Sequence, residues 1–194
     1  RGLGDVYKRQ EEKLQSHVIH HASDFLTSKG RKMIGWDETL EGGLAPGAVV
    51  MSWRGEAGGI EAARRGHDVI MTPNSYLYFD YYQTLDRANE PDAIGGYVPV
   101  ERVYNYEPVP AELTPEEGKH IVGVQANLWT EYIPTFSQVQ YMELPRMAAL
   151  SEVQWADAPK DYRAFAARVP QLIEQYKANG YNYARHIFDV EGTL

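Results

Sequence analysis

The residues in this sequence that could do chemistry are three tryptophans, one tyrosine and two carboxylates, each placed where an apolar run turns polar. They are Trp36, Trp53, Tyr78, Asp80, Trp129 and Glu131. Aromatic faces pack against the C–H surfaces of a sugar ring, and carboxylates accept hydrogen bonds from its hydroxyls. The set therefore predicts a binding site for a neutral sugar. The alternative is that the tryptophans are buried core residues, but three of them at successive strand ends favour the site.

The apolar runs next to these residues have the composition of buried strands. They are residues 32–34, 48–52, 68–71 and 121–124, and we expect the last strand to continue through the polar stretch 125–131. In parallel α/β folds, ligands bind at the carboxyl ends of the strands, which is where the six residues would lie.

These strands predict an α/β fold of the (β/α)8 TIM-barrel type, present only as its C-terminal half of about four strands plus terminal helices. A complete barrel takes about 250 residues, whereas the predicted strands fall between residues 32 and 127 of 194. An isolated half would leave two unpaired strand edges and an uncovered barrel interior. We therefore expect the chain to be part of a larger domain, with the missing N-terminal half of the same barrel as its partner.

Helical patterns accompany the strands. Apolar residues recur at helical spacing over residues 14–26, before Gly30, and a shorter helix is expected over residues 60–65. The link 39–47 is too short for the outer helix of an ideal barrel. Residues 81–120 have little periodicity, so we expect a functional loop or a misassigned element there.

Two helices are expected after the last strand. Ser137 is predicted as the N-cap of a helix that runs to residue 153, with a kink or restart at Pro145. Asp161 is predicted as the N-cap of the final helix, which would end before Gly180.

Asp37 and Glu38 are adjacent carboxylates at the end of the first predicted strand. Adjacent strand residues face opposite sides, so the two cannot enter one pocket as the acid pair of a glycosidase. If the strand continued that far, Trp36 and Glu38 would share a face.

Composition excludes several classes of partner and chemistry. The net charge is −8 and the basic residues are scattered, so nucleic acid is not an expected partner. No apolar run approaches the roughly 20 residues that cross a bilayer. The sequence has no cysteine, which excludes disulfides and thiol catalysis but does not fix the compartment.

No cofactor and no metal is expected. His17 and His21 have a metal-ligand spacing on the first helix, but no third ligand accompanies them. Residues 1–10 do not begin with Met and show no helical or strand period, so we predict a non-native leader over 1–10 and the catalytic-barrel segment over 11–194.

The motifs together resemble glycoside hydrolase family 20, the β-N-acetylhexosaminidases, over about residues 14–183. The segments that carry the resemblance, in their order, are Gly-Trp-Asp-Glu at 35–38, Val-Met-Ser-Trp-Arg at 50–54, Tyr-Phe-Asp at 78–80, Gln-Ala-Asn-Leu-Trp-Thr-Glu at 125–131, Pro145-Arg146 and Glu152.

The resemblance implies an exo-acting glycosidase that removes terminal β-linked N-acetylglucosamine or N-acetylgalactosamine by substrate-assisted retaining catalysis, an exception to the two-carboxylate scheme. It implies that Trp36, Trp53 and Trp129 line the acetamido pocket and that Tyr78 hydrogen-bonds the acetamido carbonyl. It also implies that Asp80 and Glu131 hold sugar hydroxyls. The substrate would be an amino-sugar glycan or glycoconjugate.

The sequence departs from the family in three places. The family's catalytic Asp-Glu pair lies in a His-x-Gly-Gly-Asp-Glu motif, which does not occur here, and the sugar-binding Arg upstream of it is also absent. A tryptophan of the long loop has no match, and Tyr97 is our suggested substitute. We therefore expect the chain alone to be inactive.

Two other functions stay open from the residues alone. One is a non-catalytic carbohydrate-binding module, and the other is a barrel hydrolase of another kind with Glu38 or Glu131 as its acid. The sequence does not give the linkage, the sugar preference or the oligomeric state. Relatives of this family are often periplasmic or secreted, but nothing in the residues fixes the compartment.

Overall fold

The computed structural model describes the backbone of residues 3–186 and the side chains from Lys13 onward. Within it the chain divides into two compact units. The first comprises the residues up to Pro73 together with Pro108–Val124, and the second comprises Asn74–Glu107 and the residues from Gln125 on.

The first unit contains a four-stranded parallel sheet. Its strands are β1 (Ile34–Trp36), β2 (Val49–Ser52), β3 (Val69–Met71) and β4 (Ile121–Val124), in the order β1-β2-β3-β4. Ile34 is aligned with Val49, Val50 with Val69, and Met71 with Val124. The prediction of an α/β fold with four parallel strands is confirmed.

Two of the predicted strand boundaries are wrong. β1 covers Ile34–Trp36 rather than residues 32–34, and a 3-10 helix, Asp37–Leu40, follows it directly. The Thr39 hydroxyl donates to the Trp36 carbonyl at 2.8 Å and closes this turn, so the strand does not continue to Glu38. The fourth strand ends at Val124, and the stretch 125–131 is not part of it.

Eight α-helices occur among residues 3–186. They are α1 (Leu3–Ser28), α2 (Ala57–Arg64), α3 (Asn74–Leu77), α4 (Val100–Tyr104), α5 (Pro115–Gly118), α6 (Phe136–Glu143), α7 (Arg146–Trp155) and α8 (Tyr162–Ala178). The outer helix is absent from the link 39–47, as predicted, and the region 81–120 holds α4, α5 and one further 3-10 turn, Arg87–Asn89.

Helix α1 is longer than its sequence pattern predicts. It ends at Ser28, before Gly30 with a φ of 69°, as predicted, but it begins at Leu3. The expectation that residues 1–10 lack helical structure is therefore wrong from Leu3 on, whereas their non-native origin stays a prediction. Residues 1 and 2 lie outside the described part.

From Lys13 on, only one face of α1 is packed. Ile19 and Leu26 pack against a small core of Met33, Ala45 and Ala48. Other apolar side chains of the predicted helical pattern are exposed to solvent, namely Leu14, Val18 and Phe25. Helical spacing identified the helix, but it did not identify the side that is covered.

Helix α2 packs closely on the sheet because position 59 is glycine. A Cβ at Gly59 would lie 2.5 Å from the Met71 sulfur and 3.2 Å from Ser52 Cβ. The Gly59 amide also donates to the Ser52 hydroxyl at 2.8 Å. The close approach fixes α2 against β2 and β3, so that the segment after β2 has a defined path.

In the second unit, α4 packs against α7. The predicted interruption at Pro145 is confirmed, because α6 ends at Glu143 and α7 begins at Arg146. The predicted cap is wrong: Thr135, not Ser137, caps α6 by accepting from the Gln138 amide. Asp161 caps α8 as predicted, accepting from the Ala164 amide at 3.0 Å.

No helix in the described part of the chain combines the length and the apolar character that a membrane span requires.

Candidate active site

Two of the six predicted site residues belong to the first unit and lie at the carboxyl ends of adjacent strands. Trp36 is the last residue of β1 and is aligned with Met51, two residues before Trp53. Both indoles are partly exposed at the carboxyl ends of their strands. The structure therefore confirms that β1 and β2 each carry a tryptophan to the same edge of the sheet.

Asp37 joins these two strand ends. Its side chain is 2% exposed, and its carboxylate accepts from the amides of Trp53 and Arg54 at 3.0 and 3.1 Å. The Arg54 guanidinium donates to the other carboxylate oxygen at 2.6 Å. These bonds hold the turn after β2 against the 3-10 helix that follows β1.

Glu38 contacts the ring of Trp53. The indole N–H of Trp53 donates to the two carboxylate oxygens of Glu38 at 3.0 and 2.9 Å. The expectation that strand geometry sends Asp37 and Glu38 to opposite faces is wrong, because both are in a 3-10 helix and both bind the 53–54 segment. Sequence reasoning missed this arrangement because it depends on the turn.

The other four predicted residues belong to the second unit. Tyr78 forms an isolated parallel bridge with Asn127: the Phe79 amide donates to the Asn127 carbonyl at 2.7 Å, and the Asn127 amide donates to the Leu77 carbonyl at 2.8 Å. The Tyr78 and Trp129 ring centroids are 6.5 Å apart at 54°. The bridge brings these two aromatic residues together.

The Tyr78 hydroxyl has a mostly buried environment, with 7% of the residue exposed. Burial raises its pKa, and hydrogen bonds with the side chains of Trp129 and Asn127 act in the opposite direction. The phenol therefore stays protonated at neutral pH and can donate a hydrogen bond to a carbonyl oxygen.

Asp80 and Glu131 differ in their surroundings. Asp80 is 3% exposed, and burial raises its pKa to about 6, while the charge of Arg146 lowers it and that of Glu131 raises it. One oxygen of Asp80 has no hydrogen-bond partner within the described chain. Glu131 is exposed. A buried acceptor with an unused oxygen is suited to a hydroxyl donor from a ligand.

Arg146 holds the backbone that carries Asp80. The guanidinium is completely buried and donates to the carbonyls of Phe79, Tyr81, Val98 and Met142. The central carbon of the guanidinium, Cζ, also lies 4.7 Å from the centroid of the Phe79 ring. The residue was noted only as part of a motif, and its partners up to 67 residues away could not be found from local patterns.

Tyr97, our suggested substitute for a loop tryptophan, lies elsewhere in the second unit. It lines a cavity of about 550 Å³ together with Gln83, Tyr162 and His186. None of the six predicted residues lines this cavity in the described part of the chain, so the substitution gains no support. Nor do the described side chains, which begin at Lys13, contain a cluster of three or more His, Asp or Glu residues that could hold a metal ion.

A parallel sheet with candidate site residues at the carboxyl ends of its strands is typical of an α/β enzyme. The family model for the catalytic domain of glycosyl hydrolase family 20 matches residues 4–158. Because the match covers most of the sequence, this chain belongs to glycosyl hydrolase family 20.

Curated relatives extend well beyond the chain. A β-hexosaminidase of Porphyromonas gingivalis is 49% identical over 177 residues, which is 90% of this chain and 23% of that protein. A β-hexosaminidase of Vibrio furnissii is 36% identical over 146 residues, with 72% and 23% covered. The chain thus spans about a quarter of the length of these relatives.

Two solved structures also match most of this chain, and this chain again covers only part of each of them. An exo-β-N-acetylglucosaminidase of Vibrio harveyi in complex with N-acetylglucosamine matches with a TM-score of 0.78 and 33% identity, covering 90% of this chain and 28% of that one. A Streptomyces plicatus β-hexosaminidase mutant in complex with the product N-acetylglucosamine matches with a TM-score of 0.77 and 26% identity, covering 88% and 35%. The four strands therefore correspond to part of a TIM-barrel catalytic domain.

Proposed function

We propose that this chain is part of an exo-acting β-N-acetylhexosaminidase that hydrolyses terminal β-linked N-acetylglucosamine or N-acetylgalactosamine. The observation that carries the proposal is the pairing of Tyr78 with Trp129 beside the buried Asp80, in a chain of this family. Relatives that bind N-acetylglucosamine support the substrate class.

The proposed reaction uses the substrate's own acetamido group. Its carbonyl oxygen attacks the anomeric carbon while the glycosidic C–O bond breaks, and the leaving oxygen takes a proton from a carboxylic acid. Water then attacks the anomeric carbon of the oxazolinium intermediate and gives its proton to the same carboxylate, while the bond from that carbon to the acetamido oxygen breaks and restores the acetamido group. The two inversions retain the configuration.

Each of the six residues has a role in this proposal. Trp36, Trp53 and Trp129 line the acetamido pocket and exclude water from it. Tyr78 donates to the acetamido carbonyl, which supports the oxygen as it attacks. Such positioning of an internal nucleophile contributes roughly 7–11 kcal/mol in favourable cases.

The two carboxylates of the set bind rather than react. Asp80 and Glu131 accept hydrogen bonds from hydroxyls of the terminal sugar. The buried position of Asp80 and its unused oxygen support this role. The exposed position of Glu131 leaves it accessible to a sugar.

We further propose that the acid/base Glu and the orienting Asp come from outside these 194 residues. The sequence contains no His-x-Gly-Gly-Asp-Glu motif. Asp37 and Glu38 do not substitute for that pair, because both carboxylates are bonded to the 53–54 segment. The same contacts argue against Glu38 as the acid of another hydrolase.

Release of nitrophenol from nitrophenyl N-acetyl-β-glucosaminide tests the proposal. The full-length protein that contains this chain should turn the substrate over, and Tyr78→Phe should lower kcat about 10²–10³-fold, as loss of one donor to a developing charge does. The 194-residue chain alone should release none. Glu131-dependent release by the chain alone, or an inactive full-length protein, would contradict the proposal.

The non-catalytic sugar-binding module is the second candidate function. The Tyr78–Trp129 pair favours sugar binding whether or not chemistry follows. Calorimetry with N-acetylglucosamine separates the two: a stably folded chain that binds the sugar while the full-length protein shows no turnover supports the module.

A further inference from the structure

The indole of Trp53 is fixed at both its backbone and its ring. The backbone amide donates to Asp37 at 3.0 Å, and the ring N–H donates to both carboxylate oxygens of Glu38 at 2.9–3.0 Å. An indole has one polar atom. Because Glu38 occupies it, only the carbon framework of the ring remains for a ligand.

The two carboxylates are themselves held in place. Asp37 is buried and is bonded to Arg54 through two donors. A Cβ added at Gly58 would lie 2.9 Å from the Asp37 Cβ, so α2 is in close contact with the 3-10 helix that carries Asp37. The 3-10 helix that carries Glu38 therefore has little freedom to move away from Trp53.

Rotation of the Trp53 ring would break its bond to Glu38. A hydrogen bond to a carboxylate is roughly twice as strong as one between neutral groups. The Trp53 ring is partly exposed, and its bond to the carboxylate restricts its rotation. A ring that lines a pocket selects a ligand by shape only while its orientation is fixed.

We propose that Glu38 is a positioning residue that sets the size of N-acyl group the site accepts, by holding Trp53 in one orientation. This inference rests on the proposed function, in which Trp53 lines the acetamido pocket. Glu38 does not touch the substrate and transfers no proton. The favoured ligand is an N-acetyl sugar, and larger N-acyl groups are rejected by the fixed ring.

The first test measures the Trp53 ring directly and does not depend on activity. In the full-length protein labelled with ¹⁵N-tryptophan, the indole N–H resonance that disappears in Trp53→Phe belongs to Trp53. We expect it to shift and to exchange faster with solvent in Glu38→Ala, and to stay close to the wild-type behaviour in Glu38→Gln, which keeps an acceptor oxygen. An unchanged resonance in Glu38→Ala would overturn the positioning role.

The second test measures selectivity with nitrophenyl glucosaminides that carry N-acetyl or N-propionyl groups. One methylene in a fixed apolar pocket is worth about 10–200-fold in kcat/KM. We expect the preference for N-acetyl to fall about tenfold or more in Glu38→Ala and to recover in Glu38→Gln. A general loss of folding would lower both substrates equally and would leave the ratio unchanged, which would overturn the selectivity role.

Glu61→Gln is the matched control, because Glu61 is half-exposed in the same unit and pairs only with Arg65 in the contacts described. It should change neither the Trp53 resonance nor the selectivity ratio. An inactive wild-type protein would refute the proposed function and the selectivity role together, whereas the resonance would still decide whether Glu38 holds the ring.

Discussion

At the scale of single residues, the buried carboxyl group of Asp80 makes the stability of the folded chain depend on pH. Burial raises its pKa from 3.8 to about 6. Between these two values the unfolded chain has lost the proton that the folded chain keeps, so stability decreases as the pH rises through that window and is constant above it. At about 1.4 kcal/mol per pKa unit, the loss is about 3 kcal/mol.

Asp80→Asn should remove this dependence. Urea unfolding at several pH values between about 4 and 7 measures this. As the pH rises, the free energy of unfolding of the wild type should fall by up to about 3 kcal/mol relative to that of Asp80→Asn. Asp24→Asn, at an exposed carboxylate of α1, serves as the control and should follow the wild type. Parallel curves for the wild type and Asp80→Asn would show that the carboxyl group is not desolvated in the folded chain.

At the scale of a structural element, the side chain of Arg146 anchors the start of α7, because it donates hydrogen bonds to the backbone carbonyls of Phe79 and Val98. Arg146→Met should leave those carbonyls without donors and lower the free energy of unfolding by about 3–5 kcal/mol. Urea unfolding measures the change. Arg168→Met removes a half-exposed ion pair with Glu152 and should cost less than about 1 kcal/mol; equal effects of the two variants would contradict the role.

The start of α6 provides a second prediction for an element. Thr135→Ala removes the side chain that accepts from the Gln138 amide and should cost about 1 kcal/mol, as lost N-caps do. Ser137→Ala, two residues later, removes an exposed contact with Asn182 and should cost less than about 0.5 kcal/mol. Thermal unfolding of both variants measures the difference. A larger loss of stability in Ser137→Ala than in Thr135→Ala would show that Ser137 is the N-cap of α6.

At the scale of the whole molecule, the first unit exposes apolar side chains on a helix and on the outer strands. On α1 they are Leu14, Val18 and Phe25, and on β1 and β4 they are Ile34 and Val122, which are 55% and 57% exposed. Exposed strand edges and apolar patches favour association with other chains. The β-hexosaminidase relatives described above are several times longer than this chain, so we expect these surfaces to be covered in a longer protein.

The 194-residue chain should therefore self-associate or bind a hydrophobic dye, and the full-length protein should do neither. Sedimentation and dye fluorescence measure this. Ile34→Thr combined with Val122→Thr should reduce both signals in the short chain, while Ile94→Thr, in the second unit, should change them less. A short chain that stays monomeric and binds no dye would contradict the prediction.

A feature could be predicted from the sequence when the residues that form it are neighbours in the chain, and it was missed when it depends on contacts that only the fold creates. Trp36 and Trp53 were recognised as strand-end residues because each follows a local apolar run, and this pattern needs no knowledge of the fold. The bond between Glu38 and Trp53 was missed because it requires a 3-10 turn that strand geometry does not predict. The exposed side of α1 was missed because helical spacing alone does not say which neighbours are present.

The position of the cap shows the same limit at shorter range. Thr135 and Ser137 are both suitable capping residues, and only the backbone decides which one precedes the first turn. The six site residues could thus be identified individually from their types and order, whereas the roles of Arg146, Asp37 and Glu38 depend on contacts that the folded backbone creates.

The guanidinium of Arg146 has a further consequence for inhibitor chemistry. Its five N–H groups correspond to the five bonds it donates to carbonyl oxygens. The cation near Asp80 has therefore no donor left for a newcomer. A sulfate or phosphate ester on an amino-sugar analogue would therefore find no salt-bridge partner in Arg146, so potency is better sought in the fit of uncharged rings.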